Sequence, residues 1–339
     1  MIEPVQLAPG FRHHGSSEAG VEFRVLGIGD EAKNRHEHVS GGKRVTGRRR
    51  AVLIAGPTAS GKSALALELA RTQNGVIINT DAMQVYDTLR VVTARPSAQE
   101  MAQADHRLYG VVPASARFST GQWLAAAKAV IGSTGSEQTL FFVGGTGLYF
   151  DALLNGFAEI PTVPAAVTLQ VQQEIQDLTP SERLALLEKE DSATAERLKV
   201  ADPQRLVRAL AVKRATGRLL SSFQDDQQAG LLENFEVQRL VLDPDRLTLR
   251  ERIAQRFAAM FESGAVEEVE ALRALCLDPS LPVTKAIGVP EISQWLDRAI
   301  SRNEAINLAT IATQQYAKRQ RTWFRNRFGD WPRQLPSAI

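Results

Sequence analysis

The segment Gly56-Pro-Thr-Ala-Ser-Gly-Lys-Ser63 constrains this chain more than any other. It satisfies G-x-x-x-x-G-K-[ST] at every fixed position. Its context also fits. Ala51-Val-Leu-Ile-Ala55 before it is a continuous apolar run, as in a buried parallel strand, and a helix pattern follows from Ser63 to about Gln73. Glycines let backbone wrap an anion without Cβ clashes, and N–H groups at a helix N-terminus point at phosphate oxygens. Lys62 adds a positive charge, and Ser63 offers a hydroxyl to Mg²⁺ or a phosphate oxygen. Gly56, Pro57, Thr58, Ala59, Ser60, Gly61, Lys62 and Ser63 are therefore expected to bind a diphosphate. The loop belongs to the nucleotide-binding, ATP-binding type, yet it does not fix the reaction. An NTP hydrolase also needs an apolar strand ending in a metal-binding Asp. The best candidate, Thr139-Leu-Phe-Phe-Val143, ends in Gly144-Gly145-Thr146 instead.

Around this loop the chain reads as an α/β fold. Val76-Ile-Ile78 is a second strand running up to Asp81, and 139–143 is a third. Strands alternating with helices predict a parallel sheet with crossover helices. Residues 157–234 hold Pro161, Pro164 and polar helical segments but no strand pattern. Phe235–Leu242 returns to strand character, and 245–328 is helical. The expected organisation is a phosphate-loop core over 51–156 and 235–339, with a helical domain inserted over 157–234. Residues 1–50 differ from the rest. They carry nine Lys/Arg, six Asp/Glu and four of the five histidines, and they read as a disordered basic extension. Past residue 50 the charge is nearly balanced, so any polyanion site must arise from segregation of charge. A single cysteine, Cys276, excludes an intrachain disulfide and a multi-cysteine zinc site, and it reads as structural. Apolar runs are too short to span a bilayer, and with one cysteine a reducing cytoplasm is the expected location.

Asp81 ends the second strand, where ligands of doubly wound sheets bind. It is a candidate metal ligand or general base; a capping role in a turn is the alternative. On the helix from about 250 to 261, Leu249, Ile253, Phe257 and Met260/Phe261 form an apolar stripe, with Arg252 and Arg256 one turn apart beside it. An anion would relieve their repulsion, as would solvent. Asp202-Pro203 starts a helix that ends at Gly217, with Arg205, Arg208, Lys213 and Arg214 flanking its apolar side. Lys318, Arg321 and Arg325 share a second basic stripe, and Tyr316 and Trp323 share a packing one. Either basic stripe can meet RNA phosphates or simply water. His106 reads as a packing residue. A transferase, a phosphate-loop kinase of small molecules and a non-catalytic RNA-binding module all remain open on these residues alone.

Seven motifs, in order, carry a family likeness. They are Gly56–Ser63, Asp81-Ala-Met-Gln-Val-Tyr86, Val92-Thr-Ala-Arg-Pro96, His106-Arg-Leu-Tyr109, Val143-Gly-Gly-Thr146, Asp202-Pro-Gln-Arg-Leu-Val-Arg208 and Lys318-Arg-Gln-Arg-Thr-Trp-Phe-Arg325. The chain from about 51 to 328 resembles the tRNA dimethylallyltransferases, also called tRNA isopentenyltransferases. The resemblance implies transfer of a dimethylallyl group from dimethylallyl diphosphate to N6 of the adenosine at tRNA position 37, with Mg²⁺ as cofactor. It implies that Asp81 is the base, that Lys62, Ser63 and Arg256 serve the diphosphate, and that Ser63 holds the metal. It implies contacts to the tRNA anticodon stem-loop from Asp81, Ala82, Met83, Gln84, Thr146, Gln204, Arg205, Arg208, Lys318, Arg321 and Arg325. A monomer is expected. The sequence departs from the family pattern at Ala82, Val92, Arg95, Thr168 and Gly288-Val-Pro-Glu291.

Overall fold

The computed structural model describes residues 48–198, 202–225 and 229–335. Six parallel strands form one sheet in the order β3-β2-β4-β1-β5-β6. They are β1 (Arg49–Ala55), β2 (Gly75–Asn79), β3 (Asp105–Arg107), β4 (Thr139–Gly144), β5 (Phe235–Leu242) and β6 (Arg333–Gln334). The fold class is the α/β parallel sheet that the strand pattern predicts. Two edge strands escaped the sequence reading. Strand β3 has three residues and β6 has two, too few for an alternation to register.

Side chains of the central strands alternate between the two faces, as the pleat requires. Val52 and Ile54 pack with Leu65 and Ala66 of α1 (Lys62–Thr72). Ala51 and Leu53 pack into the larger cluster, with Trp123 of α3 (Thr120–Ser133), Phe150 of α4 (Gly147–Asn155) and Phe324 of α13 (Arg302–Arg327). The Trp123 indole is fully buried and satisfied, donating to the Asn79 carbonyl at 2.9 Å. Helix α10 (Arg246–Glu262) buries the expected stripe of Leu249, Ile253, Phe257, Met260 and Phe261, and it packs on α13.

The expected basic extension falls outside the described residues up to 47. Its last residues do not belong to it, because Arg49 and Arg50 lie in β1. The Arg49 guanidinium donates to the Ile131 carbonyl at 2.8 Å and the Thr134 hydroxyl at 2.9 Å. A cation thus meets the unsatisfied carbonyls and negative dipole end of α3.

Helices α5 (Ala165–Ile175), α6 (Pro180–Glu190), α7 (Ser192–Arg197), α8 (Pro203–Thr216) and α9 (Leu220–Asp225) pack on one another. Val171, Ile175, Leu187, Leu206 and Leu210 make a core separate from that of the sheet. Helix α8 has the predicted ends. Asp202 accepts the Arg205 N–H at 3.0 Å, and Gly217 closes it in the left-handed region. Of its four basic residues, two are engaged within the helices: Lys213 donates to the Glu190 carbonyl, and Arg214 pairs with Glu174 and Glu190.

Candidate active site

All strands being parallel, the C-terminal ends of β1, β2 and β4 open on the same edge. The phosphate loop, the Asp81 turn and Gly145-Thr146 therefore meet there. Ala59 and Gly61 adopt left-handed φ values of 63° and 89°. For Ala59 this costs about 1–2 kcal/mol, a strain typical of ligand-holding loops. The first-turn N–H groups of α1 have no internal acceptors and are available to an anion. Lys62 donates to the Pro57 carbonyl at 3.1 Å. Burial lowers its pKa to about 8; Asp81 opposes that shift and Arg256 reinforces it. Arg256 hydrogen-bonds the Thr58 hydroxyl, and burial lowers its pKa against the pull of Asp81.

Asp81 is fixed from several sides. Its N–H donates to the Asn79 side chain at 2.8 Å, and its Oδ1 accepts the Met83 N–H at 2.9 Å. Among the described residues no donor reaches Oδ2, which is the oxygen free to take a proton. Burial first, then the charge of Asp81, holds the Tyr149 and Tyr316 phenols above their ordinary pKa and so protonated. Gly144 and Gly145 allow the close approach of the β4 loop. A Cβ at Gly144 would lie 2.2 Å from the Thr80 carbonyl, and one at Gly145 2.0 Å from Gln320 Nε2.

A cavity of about 1080 Å³ opens from this edge toward α5 and α8. Thr58, Asp81 and Arg256 line its core end; Thr168, Gln204 and Arg208 line the far wall. Val92, Phe257, Met260, Ala286 and Ile287 give it one apolar side. The charged residues along it are Arg117, Arg183, Arg208, Arg256, Lys285 and Arg319, against the lone carboxylate of Asp81. Charge is thus segregated, as a nearly neutral chain requires for a polyanion site.

The remaining sequence candidates are placed unevenly. Ala82 and Met83 line the cavity. Thr146 accepts the Ala82 N–H at 2.9 Å, so it acts on the Asp81 turn. Gln84 donates to the Thr93 and Ala94 carbonyls, both at 2.9 Å, and is not a lining residue. Arg205 is exposed outside the cavity. Lys318 and Arg325 are exposed, whereas Arg321 pairs with Asp243 at 2.6 Å, which ties α13 to the end of β5. Ser63 is exposed at the start of α1. Cys276, expected to be structural, is exposed at a left-handed φ of 47°. His106 packs edge-on against Tyr109 as expected. Sequence reasoning assigned Tyr316 to packing, yet it lines the cavity with Thr313 and Arg319. It also gave Gln320 no role, although this glutamine is buried and joins two of the loops.

The family model for IPP transferase matches residues 84–327. The chain belongs to this family. It is 50% identical over 291 residues to a tRNA dimethylallyltransferase of Methylobacterium sp. (strain 4-46), covering 85% of this chain and 95% of that one. It is 48% identical to a tRNA dimethylallyltransferase of Chelativorans sp. (strain BNC1), covering 83% and 97%. Among solved structures it is similar to a eukaryotic dimethylallyltransferase acting on tRNA, with TM-score 0.72, 26% identity and coverage of 86% and 74%. A full-length tRNA isopentenylpyrophosphate transferase from Bacillus halodurans matches with TM-score 0.59, 28% identity and coverage of 85% and 90%. IPP transferase membership leaves the kinase and non-catalytic readings without support. Among the described residues, no helix is long and apolar enough to cross a membrane.

Proposed function

We propose that this protein transfers the dimethylallyl group of dimethylallyl diphosphate to N6 of the adenosine at position 37 of tRNA, as a cytoplasmic monomer. One observation carries the reading. Asp81 and Arg256 stand at the core end of a cavity whose other charged groups are cationic, and Lys62 lies close enough to feel both charges. The phosphate loop and Arg256 hold the diphosphate and stabilise the charge that grows on it as the allylic C–O bond breaks. The bond electrons leave with diphosphate, the N6–carbon bond forms, and Asp81 Oδ2 takes the proton lost by N6. Val92, Phe257 and Met260 supply an apolar side against which the prenyl tail is kept from water. The adenosine leaves its stack to reach Asp81, while Gln204 and Arg208 meet the anticodon stem-loop from the inserted helices.

Among the described residues no cluster of three His, Cys, Asp or Glu exists to hold a metal alone. That suits Mg²⁺, which binds through few protein groups and the substrate's own phosphate oxygens. Ser63 would hold it, and it would neutralise charge on the leaving diphosphate.

Incubation with labelled dimethylallyl diphosphate and unmodified tRNA should yield N6-dimethylallyladenosine on nucleoside analysis, with Mg²⁺ and no added nucleotide. Robust ATP hydrolysis stimulated by a small hydroxylated acceptor, with no labelled tRNA, would overturn the reading.

A further inference from the structure

Helix α13 reaches the loop edge with two side chains one turn apart, Tyr316 and Gln320. Gln320 is 5% exposed and uses both ends of its amide. Its Oε1 accepts the Thr58 N–H at 2.9 Å, and its Nε2 donates to the Gly145 carbonyl at 3.0 Å. The phosphate loop and the β4 loop are thereby tied to one planar group. A Cβ at Gly145 would collide with that amide, so the glycine is what admits the tie. Gly145 is followed in the chain by Thr146. Thr146 in turn grips the peptide on both sides of Asp81. Its N–H donates to the Thr80 carbonyl at 3.1 Å, and its hydroxyl accepts the Ala82 N–H at 2.9 Å.

We propose that Gln320 and Thr146 are positioning residues that together set the phosphate loop and Asp81 at a fixed separation, Gln320 through Thr58 and Gly145, Thr146 through the Thr80 carbonyl and the Ala82 N–H. Neither exchanges a proton with substrate. The proposal rests on the prenyl-transfer reading for its kinetic consequences, but the tie itself is a property of the diphosphate site. Misplacing a reacting group by about 1 Å can cost 10²-fold in rate. The two residues divide that cost differently, because one holds the loop that binds diphosphate and the other holds the turn that carries the base.

The test uses the full chain and four variants. Thr146→Val, which keeps the shape and removes the hydroxyl, should lower kcat about tenfold and leave KM for dimethylallyl diphosphate within about twofold. Gln320→Met should raise that KM about tenfold, and the affinity for inorganic diphosphate, measured by calorimetry, should fall in parallel. If Gln320→Met does not fold, Gln320→Asn serves: it keeps a neutral amide that is one methylene too short to meet both Thr58 and Gly145, so diphosphate affinity should fall in the same direction. Thr146→Ser, which keeps the hydroxyl, should recover most of the kcat lost in Thr146→Val. An equal loss in Thr146→Ser, or kcat and KM within about twofold of the parent in Thr146→Val and the folded Gln320 variant, would overturn the proposal. If the parent protein transfers no label, the prenyl-transfer reading fails, and the diphosphate affinities still decide the tie.

Discussion

The loop edge of the sheet and the inserted helices are held together in opposite ways. At the loop edge, ties run between residues far apart in the chain, such as Thr58 to Gln320 and Val91 to Glu268. In the insert the stabilising groups are local caps or pairs among its own helices, such as Arg214 with Glu174 and Glu190. Asp191 and Asp202 cap their own helices, and α6 starts with a reciprocal Thr179–Glu182 capping box. The insert also has its own apolar core. A transition state demands fixed geometry on one side, whereas a large RNA can be met by a module that stands on its own contacts.

Asp81→Asn should show the largest effect on the chemical side. The change is nearly isosteric and removes basicity and charge, so prenyl transfer should fall about 10²-fold or more while tRNA affinity in filter binding stays put. A variant with a third or more of normal turnover would remove Asp81 from the chemistry.

Leu210→Ala attacks the other side. Leu210 is fully buried in the insert core, and its truncation should destabilise that core by about 2–5 kcal/mol. Affinity for tRNA should drop well before affinity for inorganic diphosphate. Equal losses would show the two regions to be one cooperative unit.

A third measurement sharpens the electrostatics of the loop edge. Lys62, with its pKa lowered to about 8, is cationic below that pH and neutral above it. Only the cation attracts diphosphate, so diphosphate affinity of the free protein should fall as pH rises through about 8. In Lys62→Met that step should vanish. A flat profile from pH 7 to 9.5 in the parent protein would reassign the binding charge to Arg256.

The smallest effects separate the cavity from the outer surface. Arg208→Ala should weaken tRNA binding several-fold and reduce its salt slope by about one counterion. Arg205→Ala, exposed outside the cavity, should do less on both counts. A reversed order would move the RNA path to the outer face of α8.

These contrasts also explain what could be read from the amino acids beforehand. The phosphate loop, the strand leading to Asp81 and the stripe on α10 were legible because each couples a local pattern to a fixed period or turn. The caps of α8 were legible because Asp-Pro and Gly act on their own backbone. Gln320 was not, because its value lies in partners that sequence distance hides. Arg321 looked like Lys318 and Arg325 on the same stripe, and only the fold brings Asp243 to it. Lys213 and Arg214 were misgrouped with Arg205 and Arg208 for the same reason: Glu174 and Glu190 approach only when α5 and α6 close on α8.

The sheet order has a consequence for how the protein is made. Strand β1 pairs with β4 on one side and with β5 on the other, where Ala51 to Ala55 face Val237 to Val241. On the ribosome, β4 is available early, but β5 emerges only after every inserted helix. At synthesis rates of roughly 5–20 residues per second, that interval is on the order of ten seconds. Throughout it the strand that carries the phosphate loop presents an open hydrogen-bonding edge. A nascent chain stopped before residue 235 would hold the whole Gly56–Ser63 loop and Asp81 yet lack the platform beneath them. Placing the helical module between β4 and β5 therefore makes completion of the catalytic edge one of the last events of synthesis.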